Sequence, residues 1–465
     1  MLLKIRSLFN LFRIALQGSE RNFTVGSVNR ATFLLAVPTM LELSMESLFV
    51  VVDLLFVSSL GERAITIVGI SNSVLILLQS VATGLGIAAT TMIARRVGEQ
   101  KPKLAGHTAM QVVYIGVFIG ILCSGLAFTY SKEIVQFSGA NSQLIGYGNV
   151  YTKFMFGGAC LMIMRIILNG IFRGAGDAFR AMRALIMANF INAVLCALLI
   201  YGIGPFPALG IVGAGIAMVA ANGVVVAYQL WHLVKTNRRL IIGKRQLRFA
   251  PVLMNRLIKL ATAGTLQFLV PSSSRFLMIV IVAKLGESTL AGYILANRIV
   301  MFTVLPAWGI ANAAGVLTGQ NLGAKQPERA EESVWKTGVF NMCYLGLAAI
   351  MLLFYARSIV GIFTNDVAVL NSATTYLQYM AIAYFFFGYT MVISRALNAS
   401  GAVGTVTLLN ILMFYVTQLP LAYLLAITAN WGANGIFIAI MFSEIVLATA
   451  CVYVFRQGKW KQIVV

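Results

Sequence analysis

Residues 31–59 read ATFLLAVPTMLELSMESLFVVVDLLFVSS, and this stretch decides the class of fold. An α-helix needs about 20 mostly apolar residues to cross a bilayer, and this stretch exceeds that length. Similar stretches follow at 65–94, 106–130, 147–171, 184–201, 209–233, 260–283, 290–318, 337–355, 373–394, 403–425 and 433–455. The sequence therefore predicts an all-α polytopic membrane protein with roughly 12 transmembrane helices.

The composition excludes two other classes of protein. Hydrophobic residues make up 59% of the 465 residues and charged residues only 11%. Soluble domains carry about a quarter charged residues, so a water-soluble enzyme is excluded. Disorder is excluded as well, because it requires low hydrophobicity. The net charge of +21 raises a nucleic-acid hypothesis, which requires the charge to lie on one solvated face.

The positions of the basic residues answer that hypothesis. Of the 35 Lys and Arg residues, 27 fall in the two termini and in the connections on the same side of the membrane. Four fall on the opposite side, and four fall inside apolar segments. Cytoplasmic loops carry such an excess of basic residues, so both termini are predicted to be cytoplasmic. The charge then reports topology, and no nucleic-acid partner is expected.

An internal repeat organises the chain. Residues 60–62 (LGE) recur at 285–287, and the Gly-x-x-x-Pro-x-x-Ala pattern of 98–105 recurs at 323–330, both at an offset of 225. Each half contains an even number of helices, so the repeat is parallel and predicts two six-helix bundles that face each other across a cleft, as in transporters. The expected parts are an amphipathic N-terminal segment at 1–30, an N-lobe at 31–233, a cytoplasmic loop at 234–259, a C-lobe at 260–455 and a tail at 456–465. Residues 1–17 fit either an interfacial helix or a poorly ordered tail.

Four acidic residues lie inside apolar segments, where ionised side chains are costly and indicate function. Glu42, Glu46 and Asp53 share the first helix, and Glu444, whose role stays open, lies in the last. At 100° per residue, Glu46 lies about 40° and Asp53 about 20° from Glu42, so the three form one stripe. Such carboxyl groups suit a carrier that loads and releases protons. A Na⁺ site is the competing hypothesis, because hard cations prefer oxygen ligands.

The second half lacks this stripe. At the repeat offset, Glu42 corresponds to Gln267, and the other two acids correspond to apolar residues. We therefore expect the coupling chemistry in the N-terminal half. A structural alternative pairs the acids with Arg165, Arg275 or Arg298. We favour Arg275 as a counter-ion, and contact with an anionic part of the substrate is its alternative role.

Other polar residues in the apolar segments are candidates for the substrate cleft. They are Gln79, Asn189, Asn192, Gln267 and Asn297, with Arg275. Polar side chains also hold transmembrane helices together, which is the structural alternative for each of them.

Several motifs together resemble the multidrug and toxic compound extrusion (MATE) family of cation-coupled antiporters. They are Pro38 with Asp53 fifteen residues later, Leu60-Gly61, the loop 173–177 (RGAGD), 319–324 (GQNLGA) and 327–330 (PERA). The resemblance covers nearly the whole chain. It implies two six-helix lobes that export amphipathic organic compounds against H⁺ or Na⁺ and need no cofactor. It also implies a monomer in the inner membrane of a prokaryote, with membrane lipid around it.

The resemblance assigns roles to individual residues. Asp53 matches the coupling carboxylate of the family, Asn192 matches a nearby asparagine, and Glu42 matches an acid common among bacterial members. Cys196 and Gln267 replace acids present in other members, which leaves few oxygen ligands. H⁺ coupling at Asp53 and Glu42 is therefore favoured, with Na⁺ at Asp53 and Asn192 as the alternative.

The sequence raises two other functions. A flippase for a lipid-linked or anionic precursor would use a cationic cleft, for which Arg165, Arg275 and Arg298 are candidates. A membrane-embedded enzyme would need an aspartate-rich diphosphate site, a metal cluster or a Ser/Lys pair. The sequence shows none of these patterns, so an enzyme is not expected.

Overall fold

The computed structural model describes residues 2–17, 23–235 and 239–463, which form α-helices and short connections without a β-strand. The helices are α1 Leu2–Gln17, α2 Val28–Ser58, α3 Glu62–Gly98, α4 Pro102–Thr129, α5 Ser131–Phe137, α6 Ser142–Gly157, α7 Ala159–Gly174, α8 Ala178–Tyr201, α9 Ile211–Lys235, α10 Pro251–Ala283, α11 Glu287–Gly323, α12 Pro327–Gly361, α13 Val367–Ser400, α14 Val403–Ile411, α15 Leu419–Tyr423 and α16 Gly432–Arg456. Residues 18–22, 236–238 and 464–465 of the predicted N-terminal segment, inter-lobe loop and tail lie outside the described residues.

The helices confirm the predicted class of fold. Eleven described helical segments are long and apolar enough to cross a membrane. One of them, Ser142–Gly174, contains α6 and α7. Another, Val403–Thr428, contains α14 and α15, with one π-helical stretch between them at Leu412–Gln418 and a second after α15 at Leu424–Thr428. The 31-residue α2, which carries the three acids, supplies the twelfth. The protein is therefore an all-α integral membrane protein of twelve transmembrane helices.

The described residues fall into two compact units. Of the described residues, the N-unit comprises 16–17, 41–235 and 239–265, and the C-unit comprises 2–15, 23–40 and 266–463. The lobes on either side of the connection 234–259 stay a prediction. The compact units, which are grouped by contacts, divide inside α2, after Met40, and inside α10, after Thr265. These two positions are 225 residues apart, which is the offset of the repeat. Each half of the sequence therefore gives the first part of its first helix to the other unit.

Two glycines at equivalent positions of the repeat explain this exchange. In the C-unit, a Cβ atom on Gly309 of α11 would lie 2.4 Å from the Cα atom of Met40 in α2. In the N-unit, a Cβ atom on Gly84 of α3 would lie 2.5 Å from the carbonyl oxygen of Ala261 in α10. Small residues allow transmembrane helices to approach this closely. The Thr39 hydroxyl also donates a 2.7 Å hydrogen bond to the carbonyl oxygen of Gly309.

The connection before α10 is fastened to α4 within the N-unit. The Gln111 side chain donates to the carbonyl oxygen of Arg248 at 2.9 Å and accepts from the backbone N–H of Ala250 at 3.1 Å. The Tyr114 hydroxyl donates to the carbonyl oxygen of Leu247 at 3.0 Å. These bonds satisfy backbone groups of residues 247–250, so this segment is held against α4.

The end of the described chain folds back within the C-unit. The Trp460 side chain is 2% exposed, stacks on Phe455 with ring centroids 4.7 Å apart, and donates to the Phe455 carbonyl oxygen. Lys461 forms an ion pair with Glu331 in the first turns of α12. The described part of the predicted tail is therefore packed against its own unit.

Candidate functional site

The three acids of α2 lie in the N-unit, beyond the point where the helix passes from one unit to the other. Glu42 and Asp53 are buried, whereas the side chain of Glu46 is 36% exposed. The three carboxylates, which share one stripe in the sequence, have different surroundings. Their partners therefore distinguish their roles.

Glu42 lies in a buried network with α7. Its Oε1 atom accepts hydrogen bonds from Arg173 Nη1 at 2.8 Å and from Asn169 Nδ2 at 2.9 Å. Gln229 of α9 donates in turn to Asn169 Oδ1 at 2.5 Å. Oε2 of Glu42 has no hydrogen-bond partner among the described residues. One oxygen of the carboxylate is thus charge-compensated, and the other is buried without a donor.

Glu46 forms a two-pronged ion pair with Arg165. Oε1 of Glu46 lies 3.0 Å from Nη2 and Oε2 lies 3.1 Å from Nη1 of the guanidinium group. Arg165 Nε donates to Asn222 Oδ1 at 2.8 Å, and Asn222 Nδ2 donates to the Met218 carbonyl oxygen. This is the structural alternative raised from the sequence for Glu46. The counter-ions of the two glutamates are Arg173 and Arg165 of α7, in place of the Arg275 that we favoured.

Asp53 differs from both glutamates. No hydrogen bond or ion pair reaches its carboxylate from the residues that the structure describes, although its side chain is only 8% exposed. The buried Tyr151 and Cys196 lie within electrostatic range of it. Cys196 Sγ donates weakly, at 3.8 Å, to Oδ1 of the buried Asn192, whose Nδ2 atom has no described partner. The structure therefore gives Asp53 no counter-ion in the described part of the chain.

The other polar candidates of the N-unit contact neighbouring helices. Asn189 Nδ2 of α8 donates to the carbonyl oxygen of Met45 in α2 at 3.1 Å. Gln79 Nε2 of α3 donates to Met162 Sδ of α7 at 3.5 Å. Both contacts join helices, which is the structural role that polar residues commonly have in membranes.

The C-unit contains the remaining polar candidates. Asn297 of α11 accepts from the Tyr376 hydroxyl at 3.2 Å and donates to the Tyr293 carbonyl oxygen at 3.0 Å. Gln267 is buried, and its Oε1 atom has no partner among the described residues. Its backbone carbonyl oxygen accepts from Asn410 Nδ2 at 3.3 Å.

Two charged residues of the C-unit differ in exposure. Glu444 of α16 is buried, and its Oε2 atom has no partner in the described part of the chain. Arg275 of α10 is exposed. Gln267, Asn297 and Arg275 therefore belong to a different unit from the three acids of α2.

The family of the protein follows from two matches along the chain. The family model MatE matches residues 38–198 and 265–424. The chain belongs to the MatE family of transporters. The two matches fall on the two halves of the internal repeat and include the whole stripe of acids in α2. The MATE resemblance drawn from the sequence is thereby confirmed.

Named relatives are similar to this MATE transporter over most of their length. An FAD transporter of Shewanella oneidensis is 25% identical over 412 residues, which cover 88% of this chain and 90% of the relative. The probable multidrug resistance protein YpnP of Bacillus subtilis is 24% identical and matches over 95% of this chain and 97% of its own. The probable multidrug resistance protein NorM of Thermotoga maritima is 21% identical, with coverage of 98% and 97%.

Solved MATE structures share the fold. A crystal structure of MATE in complex with MaD3S is 22% identical, covers 95% of this chain and 98% of its own, and superimposes with a TM-score of 0.88. An outward-facing conformation of a multidrug resistance MATE transporter gives the same identity, coverage and TM-score. At this level of identity the likeness establishes the twelve-helix fold and nothing further.

Sequence reasoning named Arg165 as a possible partner but missed Asn169, Arg173, Asn222 and Gln229. A signal for part of this network is present in the sequence. Arg165, Asn169 and Arg173 follow one another at intervals of four, which places them on one face of α7. Glu42 and Glu46 of α2 are also four residues apart, and their charge is opposite to that of the two arginines. Asn222 and Gln229 offered no comparable signal, because isolated polar residues in apolar helices mark many kinds of contact.

Proposed function

We propose that this MATE transporter exports amphipathic organic compounds by alternating access, in exchange for protons that bind at Asp53. The observation that carries the proposal is the carboxylate of Asp53, which is buried and has no partner among the described residues. Na⁺ coupling at Asp53 and Asn192 is the alternative.

Protonation strongly changes the free energy of a buried carboxylate that has no counter-ion. A charge in an apolar environment without a counter-ion is costly, and a proton removes that cost. Protonation therefore changes the free energy of any conformation in which Asp53 is buried relative to one in which it is hydrated. A proton bound from one side of the membrane shifts the balance between conformations, as alternating access requires.

The two glutamates have a different role in this proposal. Arg173 and Arg165 balance their charges, so protonation of either glutamate breaks an ion pair. We assign to Glu42 and Glu46 the neutralisation of the two arginines of α7, and to Asp53 the exchange of protons. Arg165 and Glu46 together carry no net charge in this structure, so Arg165 does not by itself supply the wide cationic cleft that the flippase hypothesis needs.

The names of relatives support small organic molecules as substrates. They include an FAD transporter of Shewanella oneidensis and the multidrug export protein MepA of Staphylococcus aureus. The excess of basic residues on one side supports cytoplasmic termini. We propose a monomer in the inner membrane of a prokaryote.

Efflux from proteoliposomes tests the proposal. Vesicles with the purified transporter are loaded with a fluorescent dye, and release is followed under a proton gradient and then under a sodium gradient. Asp53→Asn is expected to abolish the gradient-driven component, because an amide cannot exchange a proton at neutral pH. Asp366→Asn is the matched control, since Asp366 accepts hydrogen bonds at the exposed first turn of α13.

Two results would overturn the coupling assignment. One is normal proton-driven efflux by a well-folded Asp53→Asn variant. The other is wild-type efflux that responds to sodium and not to protons. Efflux of no dye under either gradient would overturn the export function itself.

A further inference from the structure

We propose that Arg165 binds the anionic group of an amphipathic substrate, and that Glu46 occupies this position when no substrate is bound. The inference rests on the proposed export function and adds to it a substrate class, organic anions with a carboxylate or phosphate group. It is carried by the geometry of the ion pair between α2 and α7.

Arg165 is held ready for a two-pronged ligand. Its side chain is 7% exposed, and Asn222 fixes the Nε end of the guanidinium group. The two terminal nitrogens are both directed at one carboxylate, that of Glu46. A planar guanidinium fork matches carboxylate and phosphate groups in the same way. Any other anion of this geometry is therefore a competitor for the position of Glu46.

Glu46 is the displaceable member of the pair. Its side chain is 36% exposed, whereas that of Arg165 is almost completely buried. Arg165 is also its sole hydrogen-bonding partner among the described residues. Glu46 can therefore turn towards its open side while a ligand anion keeps the guanidinium neutralised. Glu42 lacks this freedom, because it is 2% exposed and Asn169 as well as Arg173 holds it.

A small cavity, with room for about one water molecule, reaches Asn222, the residue that fixes Arg165. Its other lining side chains include Leu75, Met155, Met162 and Met218. Methionine side chains are flexible and polarizable, so they can rearrange to contact ligands of different shape. An apolar group of the substrate would enter here only if these methionines move, and the anionic group would bind at Arg165.

Dye binding to the full chain in lipid nanodiscs tests the assignment. Carboxyfluorescein and rhodamine 6G share a xanthene ring system but have opposite charge, and riboflavin 5′-phosphate supplies a phosphate in place of a carboxylate. Fluorescence anisotropy or intensity gives a Kd for each probe. The variants are Arg165→Gln, Glu46→Gln and the charge-neutral double variant. Lys153→Gln removes a positive charge from the same unit and is the matched control.

The two single variants are expected to act in opposite directions. Arg165→Gln should weaken binding of the anionic probes by about tenfold or more, because hydrogen bonds between charged groups are lost. Glu46→Gln should tighten it by about tenfold, because the competing internal carboxylate is gone. Binding of rhodamine 6G should not be weakened by either change. The double variant should remain folded, since no charge is left unpaired, and should bind anions as poorly as Arg165→Gln.

The inference is overturned if Arg165→Gln binds the anionic probes with the wild-type Kd, or if Glu46→Gln weakens their binding. A selective loss of one anionic probe identifies carboxylate or phosphate as the preferred group and supports the assignment. Proton-driven efflux of rhodamine 6G by Arg165→Gln separates the two proposals. If that efflux persists while anion binding is unchanged, the export function stands and the substrate class is wrong.

Discussion

Removal of Arg173 is expected to destabilise the transporter more than removal of its partner Glu42. In Arg173→Gln, the carboxylate of Glu42, whose side chain is 2% exposed, keeps one described hydrogen-bond donor, Asn169. Loss of one partner from a buried ion pair costs about 3–5 kcal/mol. In Glu42→Gln, the guanidinium group left behind is 17% exposed and can hydrate. The free energy of unfolding of that variant should fall by about 1.5–3 kcal/mol, which is the contribution of a hydrogen bond between charged groups.

Thermal unfolding of the purified variants in detergent measures this difference. The Tm of Arg173→Gln should be the lowest, and that of the double variant should lie above it, because no buried charge is left unpaired. Lower pH should reduce the loss in Arg173→Gln, because a protonated Glu42 has no charge to bury. The reasoning is refuted if Arg173→Gln unfolds at the wild-type Tm. It is also refuted if the loss in the double variant equals the sum of the two single losses.

Three further predictions concern packing within each unit. Gly309→Ala should lower the Tm, because its Cβ atom would meet the backbone of α2, whereas Gly346→Ala meets nothing within 4 Å and should be neutral. Gln111→Leu should make the segment 247–250 sensitive to trypsin, because two hydrogen bonds to its backbone are lost, and an unchanged cleavage rate would contradict this. Trp460→Ala should cost about 3–5 kcal/mol of unfolding free energy as a large buried side chain. Lys459→Ala, at an exposed position one residue before, is its control and should have no effect.

The sequence predicted the helical segments but not where the helices end. The twelve helical segments were predicted because an apolar run of about 20 residues has one stable state in a bilayer. Their ends were placed too far inwards, as at α12, which begins at Pro327 where the apolar run begins at 337. Charged residues such as Glu331 and Lys336 interrupt the apolar pattern there, yet they continue the helix outside the membrane. Hydropathy detects the bilayer-crossing part of a helix and is blind to its polar extension.

The predicted lobes follow the order of the chain, whereas the compact units of the structure follow the contacts between helices. The repeat offset showed two equivalent halves, and the connection 234–259 looked like the boundary between them. The contacts at Gly84 and Gly309 instead assign the first parts of α2 and α10 to the opposite units. A glycine in an apolar helix signals a close approach but does not name the helix that approaches. That information exists only once the helices have been packed.

The sequence by itself determined that the protein is a twelve-helix membrane transporter built from a parallel repeat. It also located the acids of α2, because a bilayer admits few ways to satisfy a backbone and tolerates few charges. Only the tertiary structure decided which of these acids have partners. Glu42 and Glu46 pair with arginines more than a hundred residues away, whereas Asp53 is buried and has no partner among the described residues. Burial and compensation of a charge depend on which helix faces which, and hydropathy and spacing along one helix do not contain that information.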